Sequence, residues 1–283
     1  MKRILSMVMM IVITVTSFGF CSYNSNSVVS ADTVSWPSGP GLVAETAVMI
    51  DASTGSVLFD KKCHQKMYPA SITKIMTALL TIENCNLDDT VTFSQSAIDT
   101  LEPEAANIGA VVGEEMSVKD CLYALMLQSA NEVASALAEH VSGSIEEFAK
   151  LMNKRAKQAG ANDAHFANAC GLFNKKHYVT AYDMAKIMQA ALQYPVFREI
   201  INSSSYTLPT DNKRKEPLTI SQRHQMVQPW NSFHYDGIIG GKTGFVNESG
   251  TTLVTSAQRD GMTLITVVLN SPGTNSYVDT TAL

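Results

Sequence analysis

A side-chain hydroxyl becomes a nucleophile only beside a base, and only where N–H dipoles or cations meet the charge that develops. Three short stretches of this 283-residue chain hold residue types that together could supply those parts. In Ser71-Ile72-Thr73-Lys74 the i,i+3 spacing predicts a hydroxyl and an amine on one helical face, their Cβ atoms about 5–6 Å apart. A lysine acts as a base only when uncharged, so burial or a second cation must weaken its hold on the proton. The start of a helix also offers the backbone N–H of Ser71 to an oxyanion. Ser129-Ala130-Asn131, read as the bend between two helices, brings a hydroxyl to relay a proton and a carboxamide to hold a substrate amide. Lys242-Thr243-Gly244, read on a strand, brings a cation and a hydroxyl for a carboxylate, and a glycine that lets substrate lie along the strand edge. The backbone N–H of Phe245 is then the second oxyanion donor.

Taken singly, each stretch is weak. Ser-x-x-Lys reads more simply as an N-cap serine before a solvated lysine, Ser-x-Asn as loop polarity and Lys-Thr-Gly as turn chemistry. The signal lies in their order, with the first two on helices and the third on a late strand. That triplet, with Asp in the middle of its second member, marks β-lactamases and penicillin-binding proteins. Further segments narrow the likeness: Tyr68-Pro69-Ala70 before the serine, Leu125-Met126-Leu127-Gln128 before Ser129, His165-Phe166-Ala167-Asn168, Gly171-Leu172, His177 to Ala185, and Gly240-Gly241 before Lys242. Over residues 44–283 the chain resembles the serine D-alanyl-D-alanine carboxypeptidases, the low-molecular-mass penicillin-binding proteins of peptidase family S11.

The resemblance implies that Ser71 attacks the terminal D-Ala-D-Ala bond of a peptidoglycan pentapeptide and that Lys74 takes its proton. Ser129 and Asn131 would guide leaving group and substrate, Lys242 and Thr243 would hold the terminal carboxylate, and Lys242 would help keep Lys74 uncharged. β-Lactams are implied as acylating inhibitors, the chain as a monomer, and neither metal nor cofactor is called for. Two departures stand out. Val246 occupies a position where the family usually has Thr, and the chain ends at Leu283 inside an expected last helix, before the family's β-rich domain and amphipathic anchor. Two other functions are weighed. A class A β-lactamase would need Asp rather than Ala130 and a Glu-held water, and no Glu-x-x-Leu-Asn follows. A catalytically idle wall-binding module would have no reason to keep all these side chains.

These residues need elements to position them. Ala47–Asp51 and Ser56–Asp60 around Ser53-Thr54-Gly55 read as strand, turn, strand. Helical periodicity runs from Ile72 to Glu83, and Ala106–Glu115, with Gly109 and Gly113, reads as a short hairpin. Helices are predicted over Ser117–Met126, from Glu132, from Ser144 to a stop at Gly160, and over Thr180–Ala191 with Thr180 and Asp183 as caps. Gly237–Gly244, Thr251–Ala257 and Met262–Leu269 read as strands separated by turn sequences. Strands at both ends with helices between predict an α+β fold: an antiparallel sheet built from both chain ends around an inserted helical block.

Composition allows a globular chain with a sizeable core. Apolar residues make up 45% and charged residues 17%, enough for a large core, and the net charge of −5 with scattered basic residues argues against a nucleic-acid partner. Lys2-Arg3, the apolar stretch Ile4–Phe20 and the small residues before Ala31 read as a signal peptide over 1–31, with a retained anchor as the alternative. Residues 32–43 read as a leader, and how the protein is held near a membrane is left open. The cysteines beyond the signal, Cys63, Cys85, Cys121 and Cys170, follow no zinc spacing and read as buried thiols, with disulfides permitted.

Overall fold

The computed structural model describes residues 39–283; the expected signal peptide lies outside the described residues, as does most of the leader. The two ends of the described residues meet in one sheet. Strands β1 (Thr46–Asp51) and β2 (Val57–Lys61) form the early hairpin, and β7 (Ile238–Val246), β8 (Gly250–Arg259) and β9 (Met262–Ser271) form the late meander. They join as a five-stranded antiparallel sheet in the order β2-β1-β9-β8-β7, with Val48 opposite Val267 at the seam. Alternation then divides the side chains between two faces. Val48, Ile50, Val254, Ile265 and Val267 pack into the main core under the helices, while Ala47, Leu253 and Val268 pack with Tyr277 on the other face. Tyr277 belongs to the C-terminal helix α8 (Asn275–Ala282). Asp279 of that helix accepts the backbone N–H groups of Val43 and Ala44, tying the last element to the first strand.

The inserted block is helical. Helices α1 (Lys74–Asn84), α4 (Asn131–Ser142), α5 (Ile145–Ala159) and α6 (Ala181–Ala191) carry its core. Ser144 caps α5 through the N–H of Glu147 and Gly160 ends it in the left-handed conformation; Thr180 and Asp183 form a reciprocal capping box on α6. Small elements surround them: β3 (Thr90–Thr92) with β4 (Glu115–Ser117), α2 (Gln95–Asp99), α3 (Val118–Tyr123), α7 (Pro195–Asn202) and the hairpin β5 (Ser205–Leu208) with β6 (Leu218–Ser221).

Two local expectations fail. Residues 106–114 are irregular rather than a hairpin, and Glu115–Ser117 pairs with Thr90–Thr92 instead. Buried carboxylates take the backbone donors a hairpin would need: Glu132 accepts from Ile108 at 2.7 Å and Glu114 from Val111 at 2.9 Å. The helix expected over Ser117–Met126 stops at Tyr123 and widens into a π-helical turn, Ala124–Gln128, which delivers Ser129 at φ 64°. Among the described residues, no helix is long and apolar enough to cross a membrane.

Candidate active site

Ser71 sits in a 3-10 turn, Ala70–Thr73, that leads directly into α1 rather than within the regular helix. Side chains from elsewhere fix this turn. Thr252 of β8 donates to the carbonyl of Pro69 at 2.8 Å, Thr73 Oγ1 lies 2.9 Å from His177 Nε2, and Thr77 donates to the carbonyl of Ala169 at 2.6 Å. The turn also carries strain, for Ala70 has φ 52°, where a Cβ is disfavoured. Gly171 packs so close that a Cβ would lie 1.9 Å from the Ala70 carbonyl oxygen.

Lys74, one turn after Ser71, is wholly buried. Its Nζ lies 3.0 Å from Ser71 Oγ, 2.6 Å from Asn131 Oδ1 and 2.7 Å from the carbonyl of Cys170. An uncharged amine has two N–H donors and one lone pair. Asn131 and Cys170 occupy the two donors, so the lone pair faces the Ser71 hydroxyl. Burial lowers the Lys74 ammonium to about 8; Glu132 opposes that shift, and Arg223 adds to it. The geometry and the proton affinity both suit a base.

Ser129 is nearly buried, and its Oγ has no hydrogen-bond partner among the described residues. A buried orphan hydroxyl at a strained backbone position is costly, so the fold holds it for something else to use. Asn131 opens α4, and its N–H donates to the Ala106 carbonyl at 2.8 Å. From the opposite side β7 brings Lys242, Thr243, Gly244 and Phe245. A Cβ on Gly244 would lie 2.8 Å from the Ser71 nitrogen and 2.4 Å from Thr252 Oγ1, so only glycine lets the strand lie this close to the turn. Phe245 is 64% exposed on the rim.

These parts open onto a cleft of about 670 Å³. Ser71, Ser129, Asn131, Thr243, Gly244 and Phe245 line it, whereas Lys74 and Lys242 lie buried beneath its floor. Lys242 Nζ donates to the Thr243 carbonyl at 2.9 Å. Burial first, then repulsion from Lys74 and Arg223, hold its ammonium well below the ordinary lysine range. An incoming carboxylate would push that balance back toward the charged form. All eight residues singled out from the sequence thus gather at one place. Arg223, Glu132 and the Cys170 carbonyl were not foreseen. Arg223 lies in a loop with no motif around it, and a carbonyl leaves no mark in a sequence.

The D-alanyl-D-alanine carboxypeptidase model of peptidase family S11 matches residues 33–273. Among curated relatives, the D-alanyl-D-alanine carboxypeptidase DacF of Bacillus subtilis is 35% identical over 232 residues, which is 81% of this chain and 57% of that protein. The D-alanyl-D-alanine carboxypeptidase of Streptomyces sp. strain K15 is 32% identical over 82% of each chain. The chain therefore spans little more than half the length of the first and most of the second. Of solved structures, the Streptomyces K15 DD-transpeptidase superposes with a TM-score of 0.79 at 29% identity, over 87% of this chain and 97% of that one. A D-alanyl-D-alanine carboxypeptidase from Mycobacterium tuberculosis H37Rv superposes with a TM-score of 0.78 at 27% identity, over 88% and 92%.

Proposed function

Because the chain belongs to the D-alanyl-D-alanine carboxypeptidase family of serine peptidases, we propose that it removes the terminal D-alanine from peptidoglycan pentapeptides through an acyl-enzyme on Ser71. The observation that carries this reading is the buried Lys74 amine, whose Nζ lies 3.0 Å from the Ser71 hydroxyl. Ser71 Oγ attacks the carbonyl carbon of the penultimate D-alanine and gives its proton to Lys74. The N–H groups of Ser71 and Phe245 stabilise the oxyanion. The C–N bond then breaks, and the proton passes to the leaving amine by way of Ser129, whose free Oγ suits a relay. Water, deprotonated by the same lysine, cleaves the ester and returns the Ser71 hydroxyl. β-Lactams would acylate Ser71 by the same attack. Lys242 and Thr243 hold the substrate's carboxylate, which makes the enzyme an exopeptidase. The Lys2-Arg3 start and apolar stretch of residues 1–31 support export to the wall side of the membrane, where this substrate is found.

The test compares two peptides ending in D-Ala-D-Ala, one a free acid and one an amide, with the acylated mass of the protein measured alongside. The acid should release D-alanine roughly two orders of magnitude faster, a difference of about 2.7 kcal/mol. Lys242→Ala should lose most of that difference, mainly by slowing the acid. Ser71→Ala should abolish both release and adduct. Equal losses on acid and amide would assign the carboxylate to another group, and an adduct on any other residue would overturn the nucleophile.

A further inference from the structure

The two helices that bear the catalytic groups also meet at their far ends. Helix α1 starts at Lys74 and α4 starts at Asn131, which are hydrogen-bonded at 2.6 Å. Cys85 caps the other end of α1, and His140 stands in the last turn of α4. Asp89 lies on the turn that leads from Cys85 to β3. One ligand atom from each of Cys85, Asp89 and His140 lies within 4.8 Å of the other two, and none of the three residues lines the cleft.

We propose that Cys85, Asp89 and His140 bind a single Zn²⁺ ion that clamps the C-terminal ends of α1 and α4. The donor set selects the metal. A thiolate and an imidazole beside one carboxylate suit a borderline-soft cation and not Mg²⁺ or Ca²⁺. Three protein ligands with water in a fourth position make a tetrahedral zinc site, and thiolate and carboxylate together balance its two positive charges. The thiol proton is released to solvent as the sulfur–metal bond forms.

The backbone around the three residues is already fixed. The Cys85 N–H donates to the Thr81 carbonyl at 3.0 Å, and the Asp89 carbonyl accepts from Val118 at 2.9 Å. Asp89 Oδ2 accepts the Asn86 N–H at 2.8 Å, while Oδ1 has only a 3.4 Å contact with the Asn86 amide and is left to a metal. Cys85 is a free thiol, half-buried, and His140 is exposed, so the ion has a path in. Cysteine spacing did not suggest this site because one cysteine contributes, and the histidine is 55 residues further on.

The site does not depend on the peptidase reading, and its test does not use activity. Chelator-treated protein is titrated with Zn²⁺ by calorimetry and with Co²⁺ by absorption. One ion per chain, a thiolate-to-cobalt charge-transfer band and a raised melting temperature with Zn²⁺ are expected. Cys85→Ser should abolish the band, and His140→Ala should weaken binding by at least the roughly 10–100-fold that losing even a supporting residue costs. His140 is exposed, so its variant is expected to fold, and Asp88→Asn next to the site should bind as wild type does. No uptake by the wild-type protein, or uptake unchanged in His140→Ala, overturns the proposal.

Discussion

The pairing of Ser71 and Lys74 rests on two opposed demands. A lysine must be buried to lose its proton near neutral pH, yet a buried amine must satisfy its own N–H groups. The carboxamide of Asn131 and the carbonyl of Cys170 meet the second demand without adding a charge that would undo the first. With the Lys74 ammonium lowered to about 8, the amine fraction grows as pH rises through 8 and saturates above it. Acylation by a β-lactam should therefore speed up across that range and then level off. Glu132→Gln removes a charge that favours the ammonium, so the rising limb should move to lower pH. Lys74→Arg should fail at every pH, because a guanidinium keeps its proton. Stopped-flow acylation rates between pH 6 and 10 (roughly two units either side of the limb) check all three. A flat wild-type profile, or an active arginine variant, would place the base elsewhere. The pair itself was legible from i,i+3 spacing. Arg223 was not, since its effect on Lys74 depends on a loop that only the folded chain brings across the cleft.

At the scale of elements, the site is a contact between a turn and a strand edge, and glycine sets how close they come. Gly244→Ala would put a Cβ 2.8 Å from the Ser71 nitrogen and 2.4 Å from Thr252 Oγ1. The strand must retreat, at a cost of about 1–3 kcal/mol for overpacking. Acylation should drop further than stability does, because the Phe245 N–H retreats with it. Gly261→Ala is the comparison: φ is +81° there, but nothing lies within 4 Å of the added carbon. It should cost roughly 1–2 kcal/mol of strain and leave acylation unchanged. Melting curves and acylation rates on both variants separate these outcomes; equal acylation in the two would remove the close approach from the mechanism. Most elements were legible from periodicity and caps, as with Thr180 and Asp183 on α6. The failures lie next to the cleft, where long-range contacts override local pattern. A hairpin over 106–115 lost its donors to Glu132 and Glu114, and the helix before Ser129 widened so that a serine could sit at positive φ.

Over the whole molecule, the sheet made from both chain ends was readable because strand patterns flank the helices. What joins its parts was not, because those ties are single polar contacts. Two of them are buried histidines. His177 Nε2 lies 2.9 Å from Thr73 Oγ1 and holds the turn that carries Ser71 to the helical block; His224 Nε2 lies 2.9 Å from Thr255 Oγ1 on β8. Burial lowers each to about 3, helped by His165 and Lys74 at His177 and by Lys242 at His224. In the unfolded chain both would titrate near 6.5. Their folded values are depressed, so the unfolded state takes up protons first as pH falls. Stability is then complete above about 6.5 and drains away toward 3, by about 1.4 kcal/mol per histidine for each pH unit. The buried carboxyls of Asp183 and Glu132 are shifted upward, so they gain relative stability on acidification and offset part of this loss. At pH 5 each histidine should cost about 2 kcal/mol. Urea midpoints at pH 7.5 and 5 should fall accordingly in the wild type, and His224→Gln should show a clearly smaller fall, whatever its stability at pH 7.5. If the fall is the same in the variant, His224 accepts its proton in the folded state, and the acid sensitivity belongs to other groups.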